Sequence, residues 1–258
     1  MSLFDLSGKT AVILAGTSTL GSAMAEGLAC HGAHVAITSR SQDKAATTSE
    51  AIARSCQDPA RVKAFACDPT SKEDLQRLLA DTLDWTGSVD VLMHCPGKNS
   101  ATPFFELKME EWDDIHDVNL RSAVLAAQVF GKQMIDQGEG GSIINVSSVA
   151  AGPPLSRVFS YAASKAGLEN VTQFLAREFA PHRIRVNAIR PGFFPAEQNR
   201  KILSPDRIEA IMRHTPMERF GTPEELQGAA VWLASGTASG FVTGTVIRVD
   251  GGYGAMTI

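Results

Sequence analysis

The residues best equipped for chemistry lie between Ser147 and Lys165, in the stretch SSVAAGPPLSRVFSYAASK. An apolar run, Ser142 to Val146, leads into a serine pair. A Gly/Pro loop follows, and then a helix opens that carries Tyr161 and Lys165. A spacing of four puts those two side chains a turn apart on one helix face. A phenol ionises only near a pKa of about 10 and gives up its proton reluctantly at neutrality. A nearby ammonium favours the phenolate, so Lys165 is expected to bring the Tyr161 pKa down into the range of proton transfer. Ser148, thirteen residues before Tyr161 at the strand end, is expected to hydrogen-bond a carbonyl or hydroxyl oxygen at the same point. The competing reading is a Tyr and a Lys that merely share a helix face. The serine at that distance weighs against it.

These side chains need a frame to hold them. Thr10 to Leu14 is a short apolar run expected to form a buried first strand, broken by the Gly/Ser/Thr stretch Ala15 to Ser22. A helix from Ala23 to His31 closes that unit. His34 to Thr38 and Val62 to Ala66 follow as strands two and three, separated by a helix from Asp43 to Arg54. Ser71 is placed as an N-cap, with Asp74 as its capping-box partner, for a helix through about Leu83. Val89 to Met93 is the fourth strand, Glu110 to Met134 a long helical region, and Ile184 to Ile189 the sixth strand after the serine strand. A substrate loop at about 191–215 includes a helix from Pro205 to Arg213. Thr222-Pro223-Glu224-Glu225 has the cap, proline and first-turn acids of another helix start. Val246 to Val249 is the seventh strand. Alternating strands and helices imply βαβ crossovers, hence an α/β fold with a parallel sheet covered on both faces. Residues 1–258 show no linker or repeat and are expected to form one doubly wound domain. Ligands of such sheets bind beyond the carboxyl ends of the strands. The first turn, Cys95 to Gly97, Ser148 and Pro191-Gly192 all fall on that edge.

Composition excludes several other classes. The chain has 258 residues, 44% hydrophobic and 20% charged, with a formal charge of −4, which leaves no basic footprint for nucleic acid. No apolar stretch approaches the length of a membrane span. Cys30, Cys56, Cys67 and Cys95 are far apart and lack metal-ligand spacing, so no metal is expected. With no signal-like N-terminus, they are expected to be reduced thiols in a cytoplasmic protein. His94 is expected to be a satisfied strand-end histidine.

The first turn reads Ala15-Gly16-Thr17-Ser18-Thr19-Leu20-Gly21-Ser22. A glycine turn opening a helix lets backbone N–H groups meet a pyrophosphate, and here Ser and Thr hydroxyls are available to supplement them. The end of strand two normally meets the adenosine ribose, where an acid accepts from a 2′-hydroxyl and an Arg accommodates a 2′-phosphate. Thr38-Ser39-Arg40-Ser41 offers no carboxylate and one guanidinium, which favours NADP, with NAD as the alternative. Asp68, after strand three, is a candidate acceptor for the adenine amino group.

With these pieces placed, the chain resembles the short-chain dehydrogenase/reductase family over its whole length. Ser148, Tyr161 and Lys165 match that family's catalytic residues, and Asn119 in DVNLRS matches the fourth. Arg185 to Ile189 followed by Pro191-Gly192, together with Thr243-Gly244 and Val249-Asp250-Gly251-Gly252, match its later signatures. LGSAMAEGLA, PLSRVFSYAASKA, RPGFFPAEQNR and TPMERFGTPEELQGAAVWLAS look most like its fructuronate/D-mannonate oxidoreductase branch. The resemblance implies a Rossmann fold of seven parallel strands and reversible hydride transfer between a cofactor and a carbonyl or alcohol carbon. In that mechanism Tyr161 is acid in reduction and base in oxidation. Lys165 also binds the nicotinamide ribose, and Asn119 fixes a water that links Lys165 to solvent. The branch implies a sugar acid, for which Arg157 is the candidate carboxylate anchor and Asn199 and Arg200 weaker ones. A homotetramer or homodimer is implied too, built through the helices around Glu110 to Met134 and Ser160 to Phe179 and the last strand.

The cofactor cradle departs from the family's Thr-Gly-x-x-x-Gly-x-Gly. Leu14, Ala15 and Thr19 replace its first three fixed residues, and only Gly21 stands in place. His94-Cys95-Pro96-Gly97 replaces a segment usually reading Asn-Asn/Ala-Ala-Gly, and Pro96 removes a backbone donor. Ala196 stands where a Thr is common, and Arg190 before Pro-Gly is positioned to approach or block the cofactor phosphates. These departures motivate an alternative reading, a redox-silent binding protein on the same scaffold. Retention of Asn119, Ser148, Tyr161 and Lys165 argues for the enzyme.

Overall fold

The computed structural model describes residues 2–153, 155–194 and 204–255. Seven strands form one parallel sheet: β1 (Thr10–Leu14), β2 (His34–Ser39), β3 (Val62–Ala66), β4 (Val91–His94), β5 (Gly141–Val146), β6 (Ile184–Pro191) and β7 (Val246–Val249), in the order β3-β2-β1-β4-β5-β6-β7. All their pairings are parallel, with Ile13 beside Ile37 and Met93, and Asn145 beside His94 and Ala188. The central strands are buried on both faces because helices cover each side. Alternation along β1 sends Ile13 into one core with Met24, Leu28, Ile37 and Val231, while Val12 and Leu14 enter the other with Leu75, Leu92 and Phe130. Strand order reverses at β1, between β2 and β4, and there the crevice opens at the carboxyl edge.

Helix α1 (Thr19–Cys30) starts earlier than Ala23, because the Ser18 hydroxyl caps it by accepting from the Gly21 N–H. Helix α2 (Gln42–Ser55) is capped by Ser41, and α3 (Lys72–Thr86) by Ser71. The Asp74 carboxylate does not close the expected capping box. It accepts from the Asp68 N–H at 3.0 Å and from Arg77 at 2.7 Å. The long region expected over 110–134 divides into α4 (Met109–His116), a π-helical turn (Asp117–Arg121) and α5 (Ser122–Gln137). α6 (Phe159–Phe179) carries Tyr161 and Lys165, and α7 (Pro205–Arg213) is capped by Ser204. Pro223 opens a 3-10 turn that runs into α8 (Gln227–Ala234).

The expectation of four reduced thiols is corrected. Cys30 and Cys56 form a disulfide, with Cα atoms 4.9 Å apart, while Cys67 and Cys95 are free and buried. The sheet brings the last residue of α1 beside the residue that ends α2, a proximity with no trace in the sequence spacing. Among the described residues no helix is long and apolar enough to cross a membrane.

Candidate active site

A cleft of about 400 Å³ opens at the carboxyl edge. Ala15, Ser18, Thr19 and Leu20 line one end, Cys95, Pro96 and Gly97 the floor beyond β4. Ser148, Tyr161 and Lys165 line the other side, closed by Pro191, Gly192 and Phe194. Residues from five separate segments therefore meet in one crevice.

The first turn is built tightly. A Cβ on Gly21 would stand 2.8 Å from the Ala15 carbonyl oxygen and 2.7 Å from Ser18 Oγ, so only glycine lets α1 start so near β1. Ala15 holds a left-handed φ of 55°, a conformation that favours glycine. Its N–H donates to Thr38 Oγ1 at 3.2 Å, and that buried hydroxyl donates to the Ile13 carbonyl at 3.1 Å. Thr38 thus pins the strained turn from the neighbouring strand. Gly16 is buried against β1, with Ile13 and Ile37 atoms about where its Cβ would touch, and neither it nor Thr17 lines the cleft. Beyond β2, Arg40 is exposed and makes no ion pair among the described residues. Asp68 accepts at Oδ1 from both the N–H and the hydroxyl of Thr70, at 2.9 and 2.7 Å, which leaves Oδ2 as its free acceptor.

Lys165 sits at the base of the cleft, 2% exposed, with Nζ donating to the carbonyls of Val146 at 2.8 Å and Pro96 at 3.0 Å. Pro96 removes a donor from the cradle, yet its carbonyl helps hold the ammonium. Burial lowers the Lys165 pKa to about 8. The expectation that Lys165 depresses the Tyr161 pKa is corrected here. Burial pushes the Tyr161 phenol above its ordinary value, and the opposing influence is a hydrogen bond with the Ser148 hydroxyl. Nζ lies 5.8 Å from the Tyr161 ring centroid and gives two of its three donors to carbonyls, and desolvation wins. Ser148 Oγ also accepts from the Ala150 N–H at 3.2 Å, which fixes the serine at the strand end.

Asn119 lies in the π turn, fully buried. Its Nδ2 donates to the Lys98 carbonyl at 2.8 Å and to Ser164 Oγ at 2.9 Å, while Oδ1 accepts from the Lys98 N–H at 2.6 Å. It therefore ties the loop after β4 to the helix of Tyr161 and Lys165, and its own contacts are to Lys98 and Ser164. His94 is only half satisfied. Nε2 meets Ser122 Oγ at 2.6 Å, whereas buried Nδ1 has no partner. Burial first, and the Lys165 charge second, lower its pKa well below the ordinary value and keep it neutral.

Arg190 is the clearest departure from expectation. It neither reaches toward nor blocks the cofactor side. Its Nε donates to Glu169 Oε1 at 2.7 Å and its Nη2 to Glu169 Oε2. The same Oε1 accepts from Ser147 Oγ at 2.6 Å. Sequence reasoning passed over Glu169 and Ser147, although Glu169 lies one turn beyond Lys165 and shares its face. Arg157 sits exposed on the loop between Ser148 and α6, with a φ of 71°, and does not line the cleft. Ala196, Asn199 and Arg200 lie outside the described residues.

Comparison with known proteins matches the geometry. The family model described as Enoyl-(Acyl carrier protein) reductase matches residues 14–254. An uncharacterised oxidoreductase of Bacillus subtilis named UxuB is 38% identical, over 98% of this chain and 97% of its own length. A structure named as a D-mannonate oxidoreductase from Haemophilus influenza, with bound NAD, superposes with a TM-score of 0.92 at 30% identity, covering 98% of this chain and 97% of that one. A gluconate 5-dehydrogenase from Burkholderia cenocepacia, in complex with NADP and tartrate, gives 0.91 at 29% identity and covers 98% of each chain. The likeness to the mannonate branch and the seven-stranded parallel Rossmann fold expected from the sequence are both borne out.

Proposed function

The chain belongs to the short-chain dehydrogenase/reductase family and is an NAD(P)-dependent oxidoreductase of CH–OH groups, and we propose that within this class it is an NADP(H)-linked reductase of a small keto sugar acid. The observation that carries this reading is the convergence of Ser148, Tyr161 and buried Lys165 on the cleft that the first turn also lines.

The cleft fits a dinucleotide. The start of α1 at Ser18, Thr19 and Leu20 lines one end of the crevice and Gly192 the other, and a Cβ on Gly192 would collide with Asp250 at 2.7 Å. Ser18 to Gly21 would hold the pyrophosphate, Arg40 the 2′-phosphate and Asp68 Oδ2 the adenine. Cys95, Gly97, Pro191 and Gly192 would frame the nicotinamide end, with Tyr161 and Lys165 on its ribose. A bound nicotinamide cofactor supplies or accepts the hydride. Ser148 holds the substrate oxygen and Tyr161 delivers the proton to it in reduction. A phenol whose pKa burial has raised is protonated at neutral pH, which suits the reductive direction. Asn119 keeps the Lys98 loop and α6 in register, and on this reading a water beside it connects Lys165 to solvent. Arg157 is the proposed anchor for the substrate carboxylate, with Asn199, which lies outside the described residues, as a weaker candidate.

The remaining assignments are that residues 1–258 act as one domain and as a homotetramer or homodimer; the Cys30–Cys56 disulfide removes the thiol argument for the cytoplasm. Exposed Phe104, Phe105, Phe174 and Phe241 support the oligomer, because large apolar side chains in water favour burial between subunits. Light scattering during size-exclusion chromatography tests it.

The activity test follows NADPH absorbance with a panel of keto sugar acids and simple ketones. Wild type should turn over at least one acid, and Tyr161→Phe should lose about 10²- to 10⁴-fold in kcat. Turnover that survives unchanged in Tyr161→Phe would sink this mechanism. Arg157→Ala should raise KM for acids and leave simple ketones unaffected.

A further inference from the structure

Arg190, Glu169 and Ser147 form a buried cluster that the catalytic reading does not use. The carboxylate of Glu169 is nearly enclosed, and it accepts from Arg190 through both oxygens and from Ser147 Oγ through one. Each member belongs to a different part of the site. Ser147 immediately precedes Ser148 on the β5 side. Glu169 lies four residues after Lys165 on α6. Arg190 immediately precedes Pro191-Gly192 on β6. Arg190 Nη1 also stands 3.3 Å from where a Cβ on Gly152 would be, so the guanidinium packs on the loop between Ser148 and Tyr161. Backbone bonds reinforce the junction, with the Ser147 N–H donating to the Ile189 carbonyl at 2.7 Å.

A mostly buried, two-pronged ion pair is an inefficient way to stabilise a fold, since a hydrophobic replacement is often neutral or better. Its value lies in direction: two parallel N–H···O bonds fix the angle as well as the distance between their elements. The ion pair raises the Arg190 pKa, so the charge persists across the working pH range.

We propose that Arg190 and Glu169, with Ser147, are positioning residues that lock the Pro191-Gly192 segment against the Ser148 strand and the Tyr161/Lys165 helix, and so set the nicotinamide end of the cofactor site. This rests on the cofactor reading above. The clamp acts at one end of the dinucleotide only. The first turn and Arg40, which would hold the other end, have no contact with it.

The experiment compares two ligands by fluorescence and calorimetric titration: NADPH, and 2′-phospho-ADP-ribose, which lacks the nicotinamide. Arg190→Met should weaken NADPH about tenfold and leave the fragment within about twofold, as expected for loss of a charge-assisted contact at one end. Arg190→Lys, which keeps the charge, should recover part of that loss. Should Arg190→Met fail to fold, Glu169→Gln carries the same comparison, because its amide oxygen still accepts from Ser147. Equal weakening of both ligands, or no change in either, overturns the clamp. Wild type that binds neither ligand overturns the cofactor reading itself, and the clamp with it.

Discussion

The chemistry of Lys165 is governed by its burial. Removal from water lowers its pKa from 10.5 to about 8, and at ~1.4 kcal/mol per pKa unit the buried ammonium opposes folding by about 3 kcal/mol. The sign follows from proton counting. Between pH 8 and 10.5 the unfolded chain binds more protons at this residue than the folded one, so its contribution to stability rises with pH across that window. Below pH 8 both states are charged and the penalty is complete. Urea unfolding of wild type and Lys165→Met at pH 7.5 and pH 9.5 should show their stability difference shifting by about 2 kcal/mol in favour of wild type at the higher pH. A difference independent of pH would mean that Lys165 is not desolvated. The same ionisation should make reductase activity fall as pH rises through about 8, if the ammonium is the working form. His94 acts on the acid side. Its folded pKa is depressed, so stability falls as pH drops below about 6.5 and the unfolded chain takes up the proton. His94→Asn should flatten that acid limb in a pH series of melting temperatures.

At the scale of elements, the first turn shows how local strain and tight packing divide between two residues. Ala15 adopts the left-handed conformation that glycine takes freely, at a cost of roughly 1–2 kcal/mol, partly offset because glycine has more freedom to lose on folding. Ala15→Gly should therefore stabilise the protein by roughly 0.5 kcal/mol, read as a higher urea midpoint at constant slope. Gly21→Ala should do the opposite, since its Cβ would overlap the Ala15 carbonyl and Ser18 Oγ, and NADPH affinity should fall with it. Lower stability in Ala15→Gly would show that Thr38 holds the turn without strain. The central strands were legible in the sequence because they carry apolar, β-branched residues that two layers of helix bury, as in the wholly buried Thr10–Leu14. The start of α1 was misplaced because Ser18, its cap, lies inside a stretch whose Gly/Ser/Thr composition suggested only a loop. The π turn at Asp117–Arg121 left no mark in composition, since it accompanies tertiary bonds that Asn119 makes to Lys98 and Ser164. Ser148, Tyr161 and Lys165 were legible from spacing. The Glu169–Arg190 pair was not, because α6 supplies the carboxylate and β6 the guanidinium, from positions 21 residues apart.

At the scale of the whole molecule, the sheet separates the site from a covalent tie at its other edge. α1 and α2 both start at the carboxyl edge, beside the first turn and Arg40, and both run back to end at Cys30 and Cys56. A cysteine count cannot pair such residues, since the proximity comes from two helices packed side by side on one face. The bridge closes a loop across a sequence separation of 26, for which loop-closure entropy gives a stabilisation of about 3.5 kcal/mol. For a chain of this size that corresponds to a melting temperature lower by roughly 7–14 °C when the bridge is absent. Cys30→Ser, or wild type under reductant, should show that loss, and intact mass before and after reduction should differ by about two hydrogens if the bridge had formed. Because the tie lies at the amino edge of the sheet, NADPH affinity at a temperature where both forms are folded should be unchanged. A Cys30→Ser variant that melts with wild type would show that the two helices are held by packing alone. One that keeps its melting temperature but loses NADPH would mean that the far ends of α1 and α2 control the turn at their beginnings.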